Sequence, residues 1–392
     1  MALDRTIPLN KEFVEKFAYL FLVDVDALLF TQKDLADFES FEKNYTEALL
    51  QAYIAAFSTP IFRMITSDFA KKLHAVAMNH MPEKTPGQFR AGAGAFAVRA
   101  TSTNPRLKLS NPASSVAGIK EFINYWFIET DEPMHILIFQ PTNPSKPTYL
   151  LQAAHNKSER EITWVTMLGG KVVDAEKFSF EKHFPFIEKL LSDWSLYTPN
   201  IQTNLADENS SPKIYAEKYE ASLKKLCNEY NQQILAAKTS NDKLKSIITY
   251  VQHSVQLHCF FDGNTRLGCL MLNRLLHEEW LSCALLINPN RIECFSVSEL
   301  MIIVKHGQQA FKQFCENTLP LFKDASHKEN ITAELCAAVK SESLPAKAET
   351  IEQFIRHYLA ANYYRAYPPF LVRHFDKSVD YTNNDFCGKP KP

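Results

Sequence analysis

The spacing of apolar residues along the chain predicts a largely helical protein. From 242 to 257, apolar side chains recur every three or four positions, at Leu244, Ile247, Ile248, Val251 and Val255. The same spacing returns from 267 to 280, at Leu267, Leu270, Met271 and Leu275. Such spacing gathers the apolar side chains on one helical face, so each segment is predicted to be an amphipathic helix.

Patterns of the same kind predict helices over most of the chain. Outside the pair just described, they cover about 10–29, 33–57, 65–81, 118–127, 180–194, 215–237 and 298–319. Pro60 and Pro82 follow the second and the third of these helices, as expected for residues that interrupt helical hydrogen bonds. The polar run 197–212 is predicted to be a linker.

The middle of the chain has a strand-like pattern instead. Three apolar runs are predicted to be strands, at about 134–140, 148–154 and 162–168. Gly169 and Gly170 follow the third run directly and favour a hairpin turn into the segment behind them. We therefore predict a small α+β insertion at 106–200 in a mainly α protein.

A short turn, His258–Arg266 (HCFFDGNTR), separates the two amphipathic helices. Gly263 and Asn264 are the residue types that most easily adopt positive φ, so the backbone is able to curl there. Asp262 or Asn264 is expected to cap the second helix. The N–H groups of its first turn, at the positive end of the helix dipole, would then form an anion site.

The side chains of this turn are suited to phosphate chemistry. Histidine is the side chain best suited to exchange protons near neutral pH, so His258 is a candidate general base for a hydroxyl proton. Asp262 offers a hard oxygen ligand to Mg²⁺, which usually binds through one or two carboxylates plus substrate phosphates. Arg266 is able to make a bidentate contact with phosphate oxygens. Phe260 is expected to face inward and fix the turn.

The turn resembles the signature of the Fic family, His-x-Phe-x-(Asp/Glu)-Gly-Asn-(Gly/Lys)-Arg. Six signature residues are present in order, namely His258, Phe260, Asp262, Gly263, Asn264 and Arg266. Three positions depart from the common pattern, which has Pro, Gly and a second Arg where this chain has Cys259, Thr265 and Cys269. The six matching residues lie on the helix–turn–helix that the family requires.

A second block, 65–90, is also similar to the family. It has Leu73-His74 on a predicted helix, followed by Gly87, Phe89 and Arg90. In the family this segment leads into a β-hairpin flap over the site, which would fall here at about 87–100. The resemblance implies N-terminal helices and the first part of a Fic core with the flap in 1–105, the second part with the motif in 201–320, and a helical C-terminal region in 321–392.

The resemblance implies a protein nucleotidyltransferase that moves AMP from ATP to a Ser, Thr or Tyr hydroxyl of a target protein. By this resemblance His258 is the catalytic residue and Asp262 holds Mg²⁺. The nucleotide phosphates would be bound by Gly263, Asn264, Thr265 and Arg266. The protein substrate would dock at the flap as an added strand.

The departures from the signature leave other activities open. A positive φ at Thr265 would cost more than at Gly, and Doc-type members, which are kinases, carry Lys there. The absence of Arg at Cys269 weakens the case for a triphosphate donor but not for a diphosphate-containing donor such as a choline conjugate. The alternatives are therefore a Fic-type kinase, a phosphocholine or other nucleotide transferase, and a non-catalytic scaffold.

The composition narrows the possible partners and sites. A net charge of −1 gives no electrostatic reason to expect a nucleic acid or an anionic membrane surface. The low count of 10 Gly in 392 residues fits a helical chain. The 8 Cys all lie from Cys227 onward without a Cys-x-x-Cys pair, so buried, reduced thiols are expected rather than disulfides or a zinc site.

The location of the protein is predicted from its first apolar run and from a missing motif. Charged residues precede that run, 17–30, and Asp24 and Asp26 interrupt it, so neither a signal peptide nor a membrane span is expected. No Glu fits the self-inhibitory (Ser/Thr)-x-x-x-Glu-(Gly/Asn) pattern of many family members. An unrestrained transferase would harm its own cell, so we expect either export as an effector or a separate inhibitor protein. The protein is accordingly predicted to be cytoplasmic, or secreted into a host cytosol as an effector.

Overall fold

The computed structural model describes residues 42–58, 64–97, 114–130, 134–140, 143–156, 159–168, 171–192, 198–203, 211–286 and 288–313. The predicted helix 10–29 and the predicted C-terminal region 321–392 lie outside this part of the chain. They stay predictions.

Helices hold more of the described residues than strands do. They are α1 Tyr45–Ser58, α2 Ser67–Ala77, α3 Val116–Ile123, α4 Phe180–Ser192, α5 Pro212–Ala236, α6 Ser240–Leu257, α7 Asn264–Glu278, α8 Arg291–Cys294 and α9 Val297–Gln313. A 3₁₀ turn covers Pro82–Lys84, and α3 continues as a π-helix over Asn124–Glu129. The mainly α class is confirmed. Among these helices, none combines the length and the hydrophobicity needed to cross a membrane.

The predicted insertion contains most of one antiparallel sheet. Its strands are β1 Gly94–Ala97, β2 Met134–Gln140, β3 Asn143–Asn156, β4 Glu159–Leu168, β5 Lys171–Lys177 and β6 Thr198–Thr203, in the order β1-β6-β2-β3-β4-β5. Leu168 is the partner of Lys171 across β4 and β5, which confirms the hairpin predicted there. The three predicted strands are confirmed as parts of β2, β3 and β4.

The predicted linker at 197–212 is wrong in its first part, because Thr198–Thr203 forms β6 between β1 and β2. Ile201 is opposite Ile136 of β2 on one side and Phe96 of β1 on the other. The run TPNIQT is polar apart from Ile201 and Pro199, so local pattern does not reveal a strand. Its two hydrogen-bonding neighbours, both distant in sequence, decide its structure. β6 thereby joins β1, the described strand of the predicted flap, to the sheet of the insertion.

The centre of the helical part is the packing of α6 against α5 and α7. All five apolar residues that predicted the amphipathic face of α6 are buried, with relative exposure of at most 3%, and the four of α7 are buried as well. α6 and α7 approach closely at Gly268, where an added Cβ would lie 2.4 Å from Cγ2 of Val255. The close approach fixes how the two helices meet at the turn between them.

The short helix α8 is held beside this pair by backbone contacts. A Cβ at Gly118 of α3 would lie 2.0 Å from the carbonyl oxygen of Cys294, so only glycine allows this approach. The N–H of Ser115 donates to the same oxygen at 3.0 Å. From α6, Nε2 of Gln252 donates to the carbonyl oxygens of Ile292 at 3.2 Å and Phe295 at 2.5 Å. These contacts fix the position of α8 relative to the turn.

The close approach at Gly268 predicts a stability effect. Gly268→Ala gains about 1 kcal/mol of helix propensity, but overpacking against Val255 costs about 1–3 kcal/mol, so we expect a net loss of unfolding free energy. Urea unfolding followed by circular dichroism measures it. Gly92→Ala is the control, since a Cβ there meets nothing within 4 Å. Equal urea midpoints for the two variants would contradict the packing described above.

Candidate active site

The turn between α6 and α7 begins and ends with a left-handed residue. His258 follows α6 with φ 50° and ψ 41°, and Gly263 precedes α7 with φ 71°. The positive φ predicted for Gly263 is confirmed. For a histidine this conformation is uncommon, so the surrounding contacts have to hold it in place.

The prediction that Asp262 or Asn264 caps α7 is wrong. Gly263 is the N-cap residue, without a side-chain hydrogen bond, and Asn264 is the first residue of the helix. The Asn264 side chain instead bonds both backbone groups of Phe260, accepting from its N–H at 3.0 Å and donating to its carbonyl at 2.9 Å. The amide is therefore committed to closing the turn, and no side-chain cap covers the first N–H groups of α7.

Phe260 points into the core, as predicted. It is fully buried, and its ring stacks on His74 with a centroid separation of 4.0 Å and on Phe89 at 5.4 Å. Phe89 and Phe260 also form a backbone β-bridge. The upstream segment 65–90 is thus packed directly against the turn.

Arg90 clamps the turn from the same side. Its Nε donates to the carbonyl of Phe260 at 2.7 Å, and its Nη2 donates to that of Phe261 at 2.8 Å. Its backbone N–H donates to the carbonyl of Cys259 at 2.9 Å. Arg90 thus holds the carbonyls of three successive residues. The two bonds from its guanidinium are the stronger ones, because their donor is charged.

His74 connects the turn to the upstream segment through both ring nitrogens. Its Nδ1 accepts the N–H of Gly87 at 2.9 Å, so Nε2 carries the proton that it donates to the carbonyl of Asp262 at 2.8 Å. Burial, which disfavours the charged ring, lowers the pKa of His74 to about 4 although the bond to Asp262 acts in the opposite direction. His74 is therefore a neutral structural link at neutral pH.

His258, the predicted base, lies at the mouth of the turn with a side-chain exposure of 14%. Its Nδ1 lies 3.4 Å from Nη2 of Arg90 and 3.4 Å from Nδ2 of Asn264. Its Nε2 lies 3.8 Å from Oε1 of Glu293 on α8. The same carboxylate oxygen accepts the Thr265 hydroxyl at 2.8 Å. The ring is thus placed between the turn and α8.

Asp262 is the exposed acid of the turn. Its side chain is 52% exposed, its Oδ1 accepts the N–H of Gly263 at 2.7 Å, and its Oδ2 lies 3.9 Å from Nζ of Lys84. Within the described ranges, no three His, Cys, Asp or Glu residues form a group that would hold a metal ion by themselves. A single accessible carboxylate fits an ion such as Mg²⁺, whose remaining ligands are water and substrate phosphates.

Arg266, predicted to bind phosphate, is paired with Glu42. Its Nη1 and Nη2 lie 2.7 Å and 2.9 Å from the two carboxylate oxygens, and its guanidinium stacks on the Tyr45 ring at 4.7 Å. Burial would raise the pKa of Glu42, but hydrogen bonds from His80 and Arg266 outweigh it and lower the pKa to about 2. Both partners are therefore charged at neutral pH, and Glu42 occupies the Arg266 guanidinium. Binding of phosphate by Arg266 stays a prediction.

The cysteines of the described chain are buried and reduced, as expected. Cys227, Cys259, Cys269, Cys283 and Cys294 are all thiols buried in the interior. Burial raises the pKa of the Cys259 thiol, next to His258 in sequence, well above its ordinary value. Cys259 is therefore an apolar packing residue rather than a nucleophile.

The structure brings the predicted site residues to one turn and adds others that sequence reasoning missed. His258, Asp262 and the N-terminus of α7 lie together. Sequence reasoning gave no role in the site to Glu293 or Glu42. Neither belongs to the motif, and no local pattern relates either position to the turn, so only the packing of α8 and of the segment before α1 reveals them.

Comparison with known proteins agrees with this site. Residues 203–276 match the model of the Fic/DOC family. The predicted resemblance to Fic proteins is thus confirmed for the segment that contains α5, α6, the turn and most of α7. Phosphocholine transferase AnkX of Legionella pneumophila is 32% identical over 111 residues, which are 28% of this chain. The chain covers only 11% of that relative's length.

The buried state of His74, which packs against the turn, predicts a pH effect on stability. Because its pKa is lower in the folded than in the unfolded chain, its stabilisation is complete above about pH 6.5 and is lost as the pH falls toward 4. A shift of this size corresponds to about 3 kcal/mol.

His74→Gln keeps a donor and an acceptor but cannot titrate. Between pH 7.5 and pH 4 we expect the unfolding free energy of the wild type to fall by about 2–3 kcal/mol more than that of the variant. Urea unfolding at a series of pH values measures the difference. Parallel curves for the two proteins would show that His74 is not buried in its neutral form.

Proposed function

We propose that this protein transfers a phosphate-linked group from a nucleotide donor to a hydroxyl of a target protein. The observation that carries the proposal is the position of His258 at the mouth of α7, next to an exposed Asp262 and an N-terminus without a side-chain cap. A base, a carboxylate for a metal ion and a set of backbone donors for an anion are the parts that this reaction requires.

Each residue of the turn has one role in this proposal. His258 takes the proton of the target hydroxyl, whose oxygen then bonds to phosphorus while the leaving phosphate departs with the electrons of its bond. Asp262 would hold Mg²⁺, which neutralises charge on the phosphate oxygens. The backbone N–H groups of Asn264 and Thr265 would hold the phosphates at the helix N-terminus, and the N–H of Gly263 would join them once Asp262 releases it to bind the metal ion.

The cations near the site favour a diphosphate donor. Arg266 already has both terminal nitrogens, Nη1 and Nη2, on the carboxylate of Glu42, and the position of a second motif arginine is the buried Cys269. Few positive charges are thus left for a triphosphate tail. The similarity to a phosphocholine transferase points the same way, so the first candidate is transfer of phosphocholine from a diphosphate-linked choline donor.

AMP transfer from ATP is the second candidate. It is supported by the six signature residues, which are those of a family whose members mostly transfer AMP. In this case Arg266 would have to leave Glu42 in order to neutralise the departing pyrophosphate. The structure therefore predicts that ATP, if it is the donor, binds only after the Glu42–Arg266 pair opens.

The target would dock at β1. This strand lies at one end of the described sheet and has β6 as its only described partner, so its other edge is able to accept an extended segment. Phe89 and Arg90, which precede β1, contact the turn directly. A segment added at β1 would therefore be led toward His258.

Buried, reduced cysteines are consistent with a reaction in a cytosol, that of the producing cell or of a host.

The activity is tested by incubating the full chain, Mg²⁺ and a cell lysate with labelled donors in parallel. Choline-labelled diphosphate donor is expected to label protein, α-labelled ATP is the second arm, and γ-labelled ATP reports a kinase. We expect His258→Ala to reduce labelling at least 100-fold, the lower range for loss of a general base.

His306→Ala is the matched control, because this histidine lies on α9 and outside the turn, and labelling by this variant should equal that of the wild type. Labelling that survives in His258→Ala would remove His258 as the base. A folded protein that labels nothing with any of the three donors would contradict the transferase proposal and favour a non-catalytic scaffold.

A further inference from the structure

Glu293 of α8 places a carboxylate beside the His258 ring. Its Oε1 lies 3.8 Å from Nε2, and both side chains are 14% exposed. The main chain at this position is also held, since Nε2 of Gln256 donates to the Glu293 carbonyl at 2.7 Å. The carboxylate is therefore brought to the ring by a rigid element rather than by a mobile surface loop.

Thr265 holds the other side of the carboxylate. Its hydroxyl donates to Oε1 of Glu293 at 2.8 Å, the same oxygen that faces His258. In the family signature this position is Gly or Lys, neither of which has a hydroxyl to donate. The departure at Thr265 and the presence of Glu293 are thus parts of one arrangement.

The contacts of the ring distinguish its two nitrogens. Nδ1 faces two donors, Nη2 of Arg90 and Nδ2 of Asn264, whereas Nε2 faces an acceptor. A neutral ring satisfies this set with the lone pair on Nδ1 and the proton on Nε2. Both donors have closer partners, since Arg90 bonds Phe261 at 2.8 Å and Asn264 bonds Phe260 at 2.9 Å. Nδ1 therefore lies beside two donors whose shorter bonds are to backbone carbonyls.

We infer that Glu293 is a positioning residue for His258. Its carboxylate keeps the proton of the neutral ring on Nε2, leaves Nδ1 as the basic nitrogen, and stabilises the imidazolium formed when Nδ1 takes the proton of the target hydroxyl. The separation of 3.8 Å shortens when the ring becomes charged, as is common for catalytic hydrogen bonds that tighten only in the reacting complex. This inference rests on the role proposed above for His258.

The charges around the ring give this carboxylate a role. Arg90 places a guanidinium 3.4 Å from Nδ1, and a neighbouring cation disfavours the protonated ring. Asn264 and Thr265 are neutral. The carboxylate of Glu293 opposes the charge of Arg90, and an opposite charge this close favours the protonated ring.

The test is a pH titration of His258 by NMR on the full chain without any donor. Glu293→Gln keeps the shape and the Thr265 contact but removes the charge. We expect the pKa of His258 to fall by about one unit or more. Thr265→Val removes the hydroxyl that anchors the carboxylate, so a smaller fall in the same direction is expected. Glu279→Gln is the control, since Glu279 pairs with Lys243 at the opposite end of α7.

The nitrogen chemical shifts provide a second measurement. In the wild type the neutral ring should show the Nε2–H form, and in Glu293→Gln the pKa should fall even if this form is retained. An unchanged His258 pKa in the folded Glu293→Gln variant, or a neutral ring protonated on Nδ1 in the wild type, would overturn the inference. Neither result depends on transferase activity, so failure of the proposed function is a separate outcome.

If the transferase activity is found, the same variant has a kinetic signature. The acid limb of the kcat/KM profile, which reports the base in the free enzyme, should move to lower pH by the same amount as the NMR pKa. A loss of rate without a shift of the limb would mean that Glu293 has only a structural role.

Discussion

The site depends on holding a curled backbone between two packed helices. The turn requires positive φ at both His258 and Gly263, and the conformation is unfavourable for histidine. Hydrogen bonds to the carbonyls of the turn offset that cost, and they come from Arg90 and His74 upstream and from Asn264 downstream. Because these donors lie on different parts of the chain, the turn forms only when the whole helical core has assembled.

Contacts within the protein also determine the electrostatics of the site. Of the two arginines at the turn, Arg90 is bound to carbonyl oxygens and Arg266 to a carboxylate. Both cations therefore have internal partners before any ligand arrives. The anion site is left to the N–H groups of α7, at the positive end of the helix dipole, and to Lys84, whose Nζ lies 3.9 Å from Asp262. This balance supports the proposal of a donor with fewer phosphates.

α8 supplies an acidic side chain, Glu293, next to His258. Its position depends on a glycine in α3 that admits the carbonyl of Cys294 and on two glutamine side chains of α6. Such contacts bring Glu293 to Nε2 of His258 across a wide separation in sequence. These contacts join residues that are distant in sequence, so they leave no periodicity or motif around Glu293 from which its position could be predicted.

Local patterns along the chain were enough to predict several elements. Apolar spacing identified α6, α7 and their buried faces, glycine identified the left-handed position before α7, and the motif identified Phe260 as an inward residue. Tertiary contacts, by contrast, make Thr198–Thr203 a strand, let Asn264 close the turn, and pair Arg266 with Glu42. The reason is that a hydrogen bond or ion pair depends on how two distant segments are packed together. The local sequence pattern indicates only the secondary structure that each segment favours by itself.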